Sequence, residues 1–178
     1  ITYYALTNKY LPFNDSNLED FSKELLSIKL SFVFNNNLGY SEIFLNDVNV
    51  EQEIRSIKVS NHVSSVATIS FIRKHMVSLQ KKISLNKGVV MDGRDIGSVV
   101  FPNAELKLFL NASAEVRASR RHSEYINQNI NVDYSEVLNN LQSRDLDDSN
   151  RLDSPLIVAN DAIEIDNSSM TMDEQFIL

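Results

Sequence analysis

The sequence predicts an α/β protein with a mostly parallel sheet, because short apolar runs alternate with helical patterns through its second half. The three candidate strands are residues 88–91, 106–110 and 162–166. Ser113 is placed to cap a helix after the second strand. Another helix is expected from Asp133 or Ser135 to about Asp148, and a last one from Met172. Strands that alternate with helices are typical of a doubly wound parallel sheet.

The first 28 residues predict two helical segments. Residues 1–8 have the pattern of a helix end. Apolar residues then recur at helical spacing and predict a helix over about residues 17–28. Asp15 or Ser16 is expected to cap this second helix.

The next stretch predicts a small antiparallel meander. Its candidate strands are residues 30–34, 40–45 and 48–50, joined by turns that contain Asn, Asp and Gly. Residues 51–83 return to helical patterns, with a break near Ser70. The meander is therefore expected to be an inserted subdomain.

Length and composition exclude several classes of protein. The chain has 178 residues, 43% of them hydrophobic, which is ordinary for one globular domain with a small insertion. It has no cysteine, so disulfides and thiolate metal sites are excluded, in keeping with a cytoplasmic location. Its three histidines lack metal-ligand spacing, and no run approaches the ~20 apolar residues of a membrane span. A net charge of −7 argues against nucleic acid as a partner.

The most distinctive local motif is Asp92-Gly93-Arg94-Asp95-Ile96-Gly97, directly after the first candidate strand. Open α/β sheets bind ligands at the carboxyl ends of their strands, so this motif is placed where a binding loop belongs. The alternative is a surface turn with a local ion pair. From these six residues alone the two interpretations are equally supported.

A second motif contains Arg144, Asp148 and Arg151, which share one helix face by the i, i+4, i+7 rule. Two arginines beside a carboxylate could hold a phosphate and a sugar hydroxyl. A solvated face with intrahelical ion pairs is the competing and more common explanation.

A third motif places Arg117, Arg120 and Arg121 at i, i+3 and i+4. The guanidinium fork suits polyphosphate. A charged outer helix face explains the same pattern.

Together these motifs resemble the bacterial cytidylate kinase family. The run Asp92-Gly93-Arg94-Asp95-Ile96-Gly97-Ser98-Val99-Val100-Phe101-Pro102-Asn103-Ala104 is similar to its GRD-[IM]-G-[ST]-VVFP-[DN]-A signature. Arg144-Asp145 with Asp148 and Asn150-Arg151, followed by Pro155-Leu156, is similar to its R-D-x-x-D-x-x-R and APL signature. Residues 54–73 and 114–121 also follow the family pattern, so the resemblance covers essentially the whole chain.

The resemblance implies a kinase that transfers the γ-phosphoryl group of ATP, with Mg²⁺, to CMP or dCMP. It also implies a three-layer α/β fold of the P-loop nucleoside monophosphate kinase type. Residues 1–28 and 84–178 would form the core domain, and residues 29–83 an inserted monophosphate-binding subdomain. A mobile helical lid would cover about residues 118–146. The family habit is monomeric.

The resemblance also implies roles for individual residues. Ser64, Arg73 and Asp95 correspond to the residues that recognise cytosine. Arg94 and Arg151 correspond to ligands of the CMP phosphate, and Arg144 with Asp148 to contacts at the ribose. Lid arginines close over the phosphoryl group in the family, which points to Arg120 or Arg121, or both.

The sequence departs from the family pattern in several places. Asp147 stands where the second signature usually has a basic residue, and Asp153-Ser154 replaces an apolar pair. The family's phosphate-binding loop, G-x-x-[AG]-x-G-K-[GST], would precede Thr2 and is not among the 178 residues. We expect the natural protein to have this loop, and the 178-residue chain alone to be inactive because it binds ATP poorly. The alternatives are a CMP-binding protein without catalysis and a kinase for another pyrimidine monophosphate.

Overall fold

A computed structural model describes residues 1–83, 85 and 88–178. The chain divides into two compact units, Ile1–His75 and Met76–Leu178. The predicted boundaries, with a core of residues 1–28 and 84–178, an insertion of residues 29–83 and a lid, stay a prediction.

Two helices open the first unit, as the sequence predicts. Helix α1 spans Thr2–Thr7 and α2 spans Asp15–Leu25. Helix α2 starts earlier than expected because its cap is Asn14, not Asp15 or Ser16. The Asn14 side-chain oxygen accepts a hydrogen bond from the backbone N–H of Asn17, and the Asn17 side-chain oxygen accepts one from the backbone N–H of Asn14. This reciprocal capping box satisfies donors that the helix start leaves open.

The predicted meander is confirmed. Strand β1 (Leu30–Asn35) pairs antiparallel with β2 (Tyr40–Leu45), which pairs antiparallel with the short β3 (Val48–Asn49). Asn46 and Asp47 form the turn before β3, both with positive φ. Asn and Asp tolerate this left-handed backbone better than other residues that carry a Cβ, which explains their use here.

Helices complete the first unit after the meander. A short 3₁₀ helix at Glu53–Arg55 leads into α3 (Ile57–Ala67), and α4 (Ser70–Ile83) begins at the predicted break and continues into the second unit. The first unit buries mainly apolar side chains, with Phe21 fully buried. Tyr10 and Phe13 pack on Phe21, at ring-centroid distances of 5.0 and 5.1 Å.

The second unit contains two parallel strands and three helices among the elements that lie wholly within its described part. They are β4 (Leu108–Asn111), α5 (Ala114–Asn127), α6 (Tyr134–Asn150), β5 (Ile163–Asp166) and α7 (Met172–Ile177). A single π-helical turn, Ile96–Val100, precedes β4. Strands β4 and β5 pair in parallel with Leu108 opposite Ile163, and α5 packs on α6. Ser113 and Asp133 cap α5 and α6, as the sequence predicts.

The prediction of a buried strand at residues 88–91 is wrong. This segment is irregular, and Val90 is fully exposed. An apolar run forms a buried strand only where a neighbouring strand accepts and donates its backbone hydrogen bonds. In the described part of the second unit, the parallel sheet consists of β4 and β5 alone.

Candidate functional site

The loop at residues 92–95 is held close to the π-helical turn that follows it. A side chain at Gly93 would bring its Cβ to 2.8 Å from Cγ1 of Ile96, so only glycine fits without displacement. Gly97 lies against the aliphatic stem of Lys107, whose buried ammonium group donates to the carbonyl of Pro102 and to Asp161. These contacts fix the backbone on which Arg94 and Asp95 stand.

The carboxyl end of α6 contributes the second set of polar side chains. Helix α6 ends at Asn150, so Arg151 is not on the helix face that the i, i+4, i+7 spacing predicts. Its backbone is extended, with φ −66° and ψ 144°. The Arg151 side chain nevertheless turns back, and its Nη1 donates to Oδ1 of Asp148 at 2.6 Å. Both side chains are about nine-tenths buried or more.

The loop and α6 meet through ion pairs, although they lie about fifty residues apart in the sequence. Nη1 of Arg94 donates to Oδ1 of Asp145 at 2.8 Å, and its Nε lies 3.5 Å from Oδ2 of Asp148. Nη2 of Arg151 lies 3.7 Å from Oδ2 of Asp95. Four of the predicted site residues, Arg94, Asp95, Asp148 and Arg151, are therefore brought together.

The ion pairs continue to α5, where Nη2 of Arg117 donates to Oδ2 of Asp145 at 2.5 Å. The result is an alternating series that we call the charge chain. Its members are Arg117, Asp145, Arg94, Asp148, Arg151 and Asp95. The sequence places Arg117 in the helical motif that suits polyphosphate and Asp145 within the second signature, but neither is among the residues for which the resemblance implies a role. The pattern that could have indicated their roles is the alternation of positive and negative residues across the two motifs. Only the tertiary structure shows that these motifs are in contact.

Arg144 lies beside the charge chain but takes no part in it. Its half-buried guanidinium forms no ion pair with the described residues, and its buried Nε lacks a hydrogen-bond acceptor among them. Burial lowers the pKa of Arg144 from its usual value, and the positive charge of neighbouring Arg94 lowers it further. A guanidinium in this environment favours an incoming anion or hydroxyl acceptor.

The two candidate lid arginines, on α5, point to different partners. Nη2 of Arg120 donates to the backbone carbonyls of Asn167 and Met170, which anchors α5 to the segment after β5. The guanidinium of Arg121 lies over the ring of Tyr125, 5.1 Å from its centroid, and pairs with Glu124. Of the two, Arg121 lies near enough to Arg144 for its positive charge to lower the pKa of Arg144. Burial and Arg94 lower that pKa more strongly, and Asp148 raises it.

The remaining two predicted residues, Ser64 and Arg73, belong to the first unit. Ser64 is half-buried on α3, and its hydroxyl makes no hydrogen bond with the described residues. Arg73 lies in the first turns of α4 and donates from Nε to the carbonyl of Ala67 at 2.9 Å. The Ser64 hydroxyl is thus available to a ligand.

The described residues contain neither a cluster of metal-ligating side chains nor a membrane-spanning helix. No cluster of three or more histidine, aspartate or glutamate side chains there could hold a metal ion. No helix in the described part of the chain combines the length and apolar character needed to cross a membrane.

Comparison with known proteins assigns the family. The profile of the family described as "Cytidylate kinase" matches residues 1–176. Curated relatives include the cytidylate kinase of Flavobacterium psychrophilum, 57% identical over 99% of this chain and 78% of the relative. Those of Flavobacterium johnsoniae and Parabacteroides distasonis are 51% and 46% identical, each over 76% of the relative's length and at least 98% of this chain. These matches, with the parallel sheet and the small antiparallel meander, confirm the predicted α/β fold class of P-loop nucleoside monophosphate kinases. The chain therefore belongs to the cytidylate kinase family.

Proposed function

We propose that the protein phosphorylates CMP or dCMP with ATP as the phosphoryl donor. The observation that carries the proposal is the contact between the two signature motifs: Arg94 and Asp95 of the loop meet Asp148 of α6 and Arg151, the residue after its end. A cluster of arginines and carboxylates matches a nucleotide, which presents an anionic phosphate beside hydroxyl groups and a polar base.

Base recognition is assigned to Asp95 with Ser64 and Arg73. Cytosine presents an amino donor beside two acceptors, so the Asp95 carboxylate can accept from the amine. The Ser64 hydroxyl and the Arg73 guanidinium can donate to the acceptors. Uracil presents a carbonyl in place of the amine, so Asp95 would lose its hydrogen bond and be left beside another acceptor. Such a mismatch costs about 1–3 kcal/mol, which favours CMP over UMP.

Phosphate and ribose binding are assigned to the charge chain and Arg144. Arg94 and Arg151 would bind the CMP phosphate, and Arg144 with Asp148 would contact the ribose. The buried Nε of Arg144, which lacks an acceptor among the described residues, supports a ligand at this position. The neighbouring positive charges of Arg94 and Arg144 also make the site more favourable to an anion.

Phosphoryl transfer needs positioning and positive charge more than covalent chemistry from the protein. We assign Arg120 and Arg121 as the lid arginines, with Arg121 favoured because the guanidinium of Arg120 is occupied by backbone carbonyls. When bound, Mg²⁺ would neutralise developing phosphate charge. No cluster of three metal-ligating side chains that could hold the ion lies among the described residues.

Binding calorimetry of CMP and UMP to the 178-residue chain tests the base assignment without requiring ATP. CMP should bind about tenfold more tightly than UMP. Asp95→Asn should reduce that ratio to near one, because the amide can donate to the uracil carbonyl. Asp147→Asn removes the same charge from an exposed position on α6 and should leave the ratio unchanged. Equal binding of CMP and UMP by the unsubstituted chain would contradict the proposal.

Phosphoryl transfer is tested by following conversion of CMP to CDP with ATP by the purified protein. A protein that binds CMP but forms no CDP would instead be the non-catalytic binding protein. A cytoplasmic location and a monomeric state stay part of the proposal, and sedimentation of the purified protein checks the second.

A further inference from the structure

Asp145 accepts a hydrogen bond from each of two arginines on different elements, through separate oxygens. Oδ1 accepts from Arg94 of the binding loop at 2.8 Å, and Oδ2 accepts from Arg117 of α5 at 2.5 Å. Arg117 is itself fixed, because its Nε donates to the carbonyl of Ala112 at 3.0 Å. The carboxylate of Asp145 therefore ties the loop to the start of α5 as well as to α6.

The arrangement determines which donors of Arg94 remain for a ligand. Asp145 receives a hydrogen bond from Nη1, and Asp148 lies 3.5 Å from Nε. Nη2 makes no hydrogen bond with the described residues. Since the fully buried atoms without a hydrogen-bond partner do not include Nη2, this nitrogen is not fully buried. Two carboxylates thus hold opposite sides of the guanidinium and leave its third nitrogen accessible.

We propose that Asp145 is a positioning residue, which holds Arg94 so that its Nη2 faces the phosphate of the bound nucleotide. The proposal rests on the function proposed above. Without Asp145, the remaining carboxylate beside Arg94 is Asp148, which already pairs with Arg151. Arg94 would then rotate toward Asp148, and its donors would no longer meet the phosphate.

Orientation outweighs charge in this proposal. Asp145 is already neutralised by Arg117, so its own field at the ligand is small. A hydrogen bond to a charged group depends steeply on geometry and weakens when the donor is turned away. Removing the carboxylate should therefore reduce phosphate binding, although the change adds positive charge to the site.

The test compares a ligand that carries the phosphate with one that lacks it. In Asp145→Asn, the affinity for CMP should fall about tenfold while the affinity for cytidine stays the same. Asp147→Asn, an exposed position on the same helix, should change neither. A loss of affinity for both ligands would show a merely structural role and overturn the proposal, as would unchanged or tighter CMP binding.

A double-mutant cycle gives a readout that a structural role would not move. In an Arg94→Gln background, Asp145→Asn should have no further effect on CMP affinity, because the residue through which it acts is gone. Full additivity would overturn the proposal. If Asp145→Asn does not fold, Asp145→Glu keeps the charge, moves the carboxylate by one methylene and should show a smaller selective loss for CMP. Failure of the function itself is distinguishable, since the unsubstituted chain would then not prefer CMP to UMP.

Discussion

The two units of the chain are built with different chemistry. The first unit buries mostly apolar side chains, among them Phe21 and Leu25, with Glu51 as a buried charged exception. The second unit buries fewer apolar residues and places Lys107, Asp148 and Asn167 in its interior among its described residues. The stability that apolar packing contributes depends little on salt or pH, whereas the stability that ion pairs contribute depends on both. A binding site for an anion needs positively charged side chains. The charge chain occupies interior positions of the second unit, so fewer positions remain there for buried apolar side chains.

The largest effect should come from the apolar centre of the first unit. Phe21→Ala should cost about 3–5 kcal/mol of stability, because it removes a fully buried ring and leaves a cavity between Tyr10 and Phe13. Denaturant titration followed by hydrogen exchange of α2 measures the loss. Phe32→Ala is the matched control, since that ring is half exposed, and should cost less than about 1 kcal/mol. Equal losses would mean that Phe21 is not the centre of the core.

The second largest effect should come from breaking the charge chain at its most buried carboxylate. Asp148→Asn removes the negative charge that lies 2.6 Å from Nη1 of buried Arg151, and the expected cost is about 3 kcal/mol. Hydrogen exchange of α6 should report the loss, while α2 in the first unit stays protected. Asp147→Asn provides the control at an exposed position of the same helix. Equal losses of hydrogen-exchange protection in α2 and α6 would contradict the difference between the apolar interior of the first unit and the charged interior of the second.

Loss of a helix cap should lower the stability of the two units by similar amounts. A cap depends on local hydrogen bonds and not on the side chains that a unit buries in its interior. Asn14 caps α2 and Ser113 caps α5, each accepting from a backbone N–H three residues later. Asn14→Ala and Ser113→Ala should each cost about 1 kcal/mol. Thermal unfolding of the variants measures this, with Asn14→Asp and Ser113→Asp as controls that retain a cap. A cap effect confined to one unit would contradict this expectation.

The smallest effect should be a pH dependence of the second unit. Burial by itself raises the pKa of Asp145, but hydrogen bonds from Arg117 and Arg94 lower it more, so the net pKa lies below 3.8. The stabilisation is therefore present above pH 3.8 and is lost as the pH falls through the lower folded pKa. Partial exposure of the pair keeps the effect modest. Unfolding of α6, followed at decreasing pH, should be less pH-dependent in Asp145→Asn; equal slopes would show that the ion pairs do not stabilise this region.

Local patterns predicted most of the elements, and the exceptions have physical causes. The meander, the break at Ser70 and the caps Ser113 and Asp133 are properties of short segments, so the sequence was sufficient. For residues 88–91 the sequence was not sufficient. A strand needs a neighbouring strand, and a local pattern does not show whether one is present. Helix α2 starts earlier than predicted because two asparagines form a capping box in place of the usual Ser, Thr or Asp pattern.

The sequence by itself determined the family, the order of the elements and the residue types of the candidate site, because motifs and periodicity are local. Only the tertiary structure decided which charges meet. It joins Arg94 to Asp145 and Asp148 across about fifty residues, turns Arg151 back onto Asp148 beyond the end of α6, and leaves Arg144 without a carboxylate partner among the described residues. Ion pairing depends on distances in space, and those distances exist only once β4, α5 and α6 have packed.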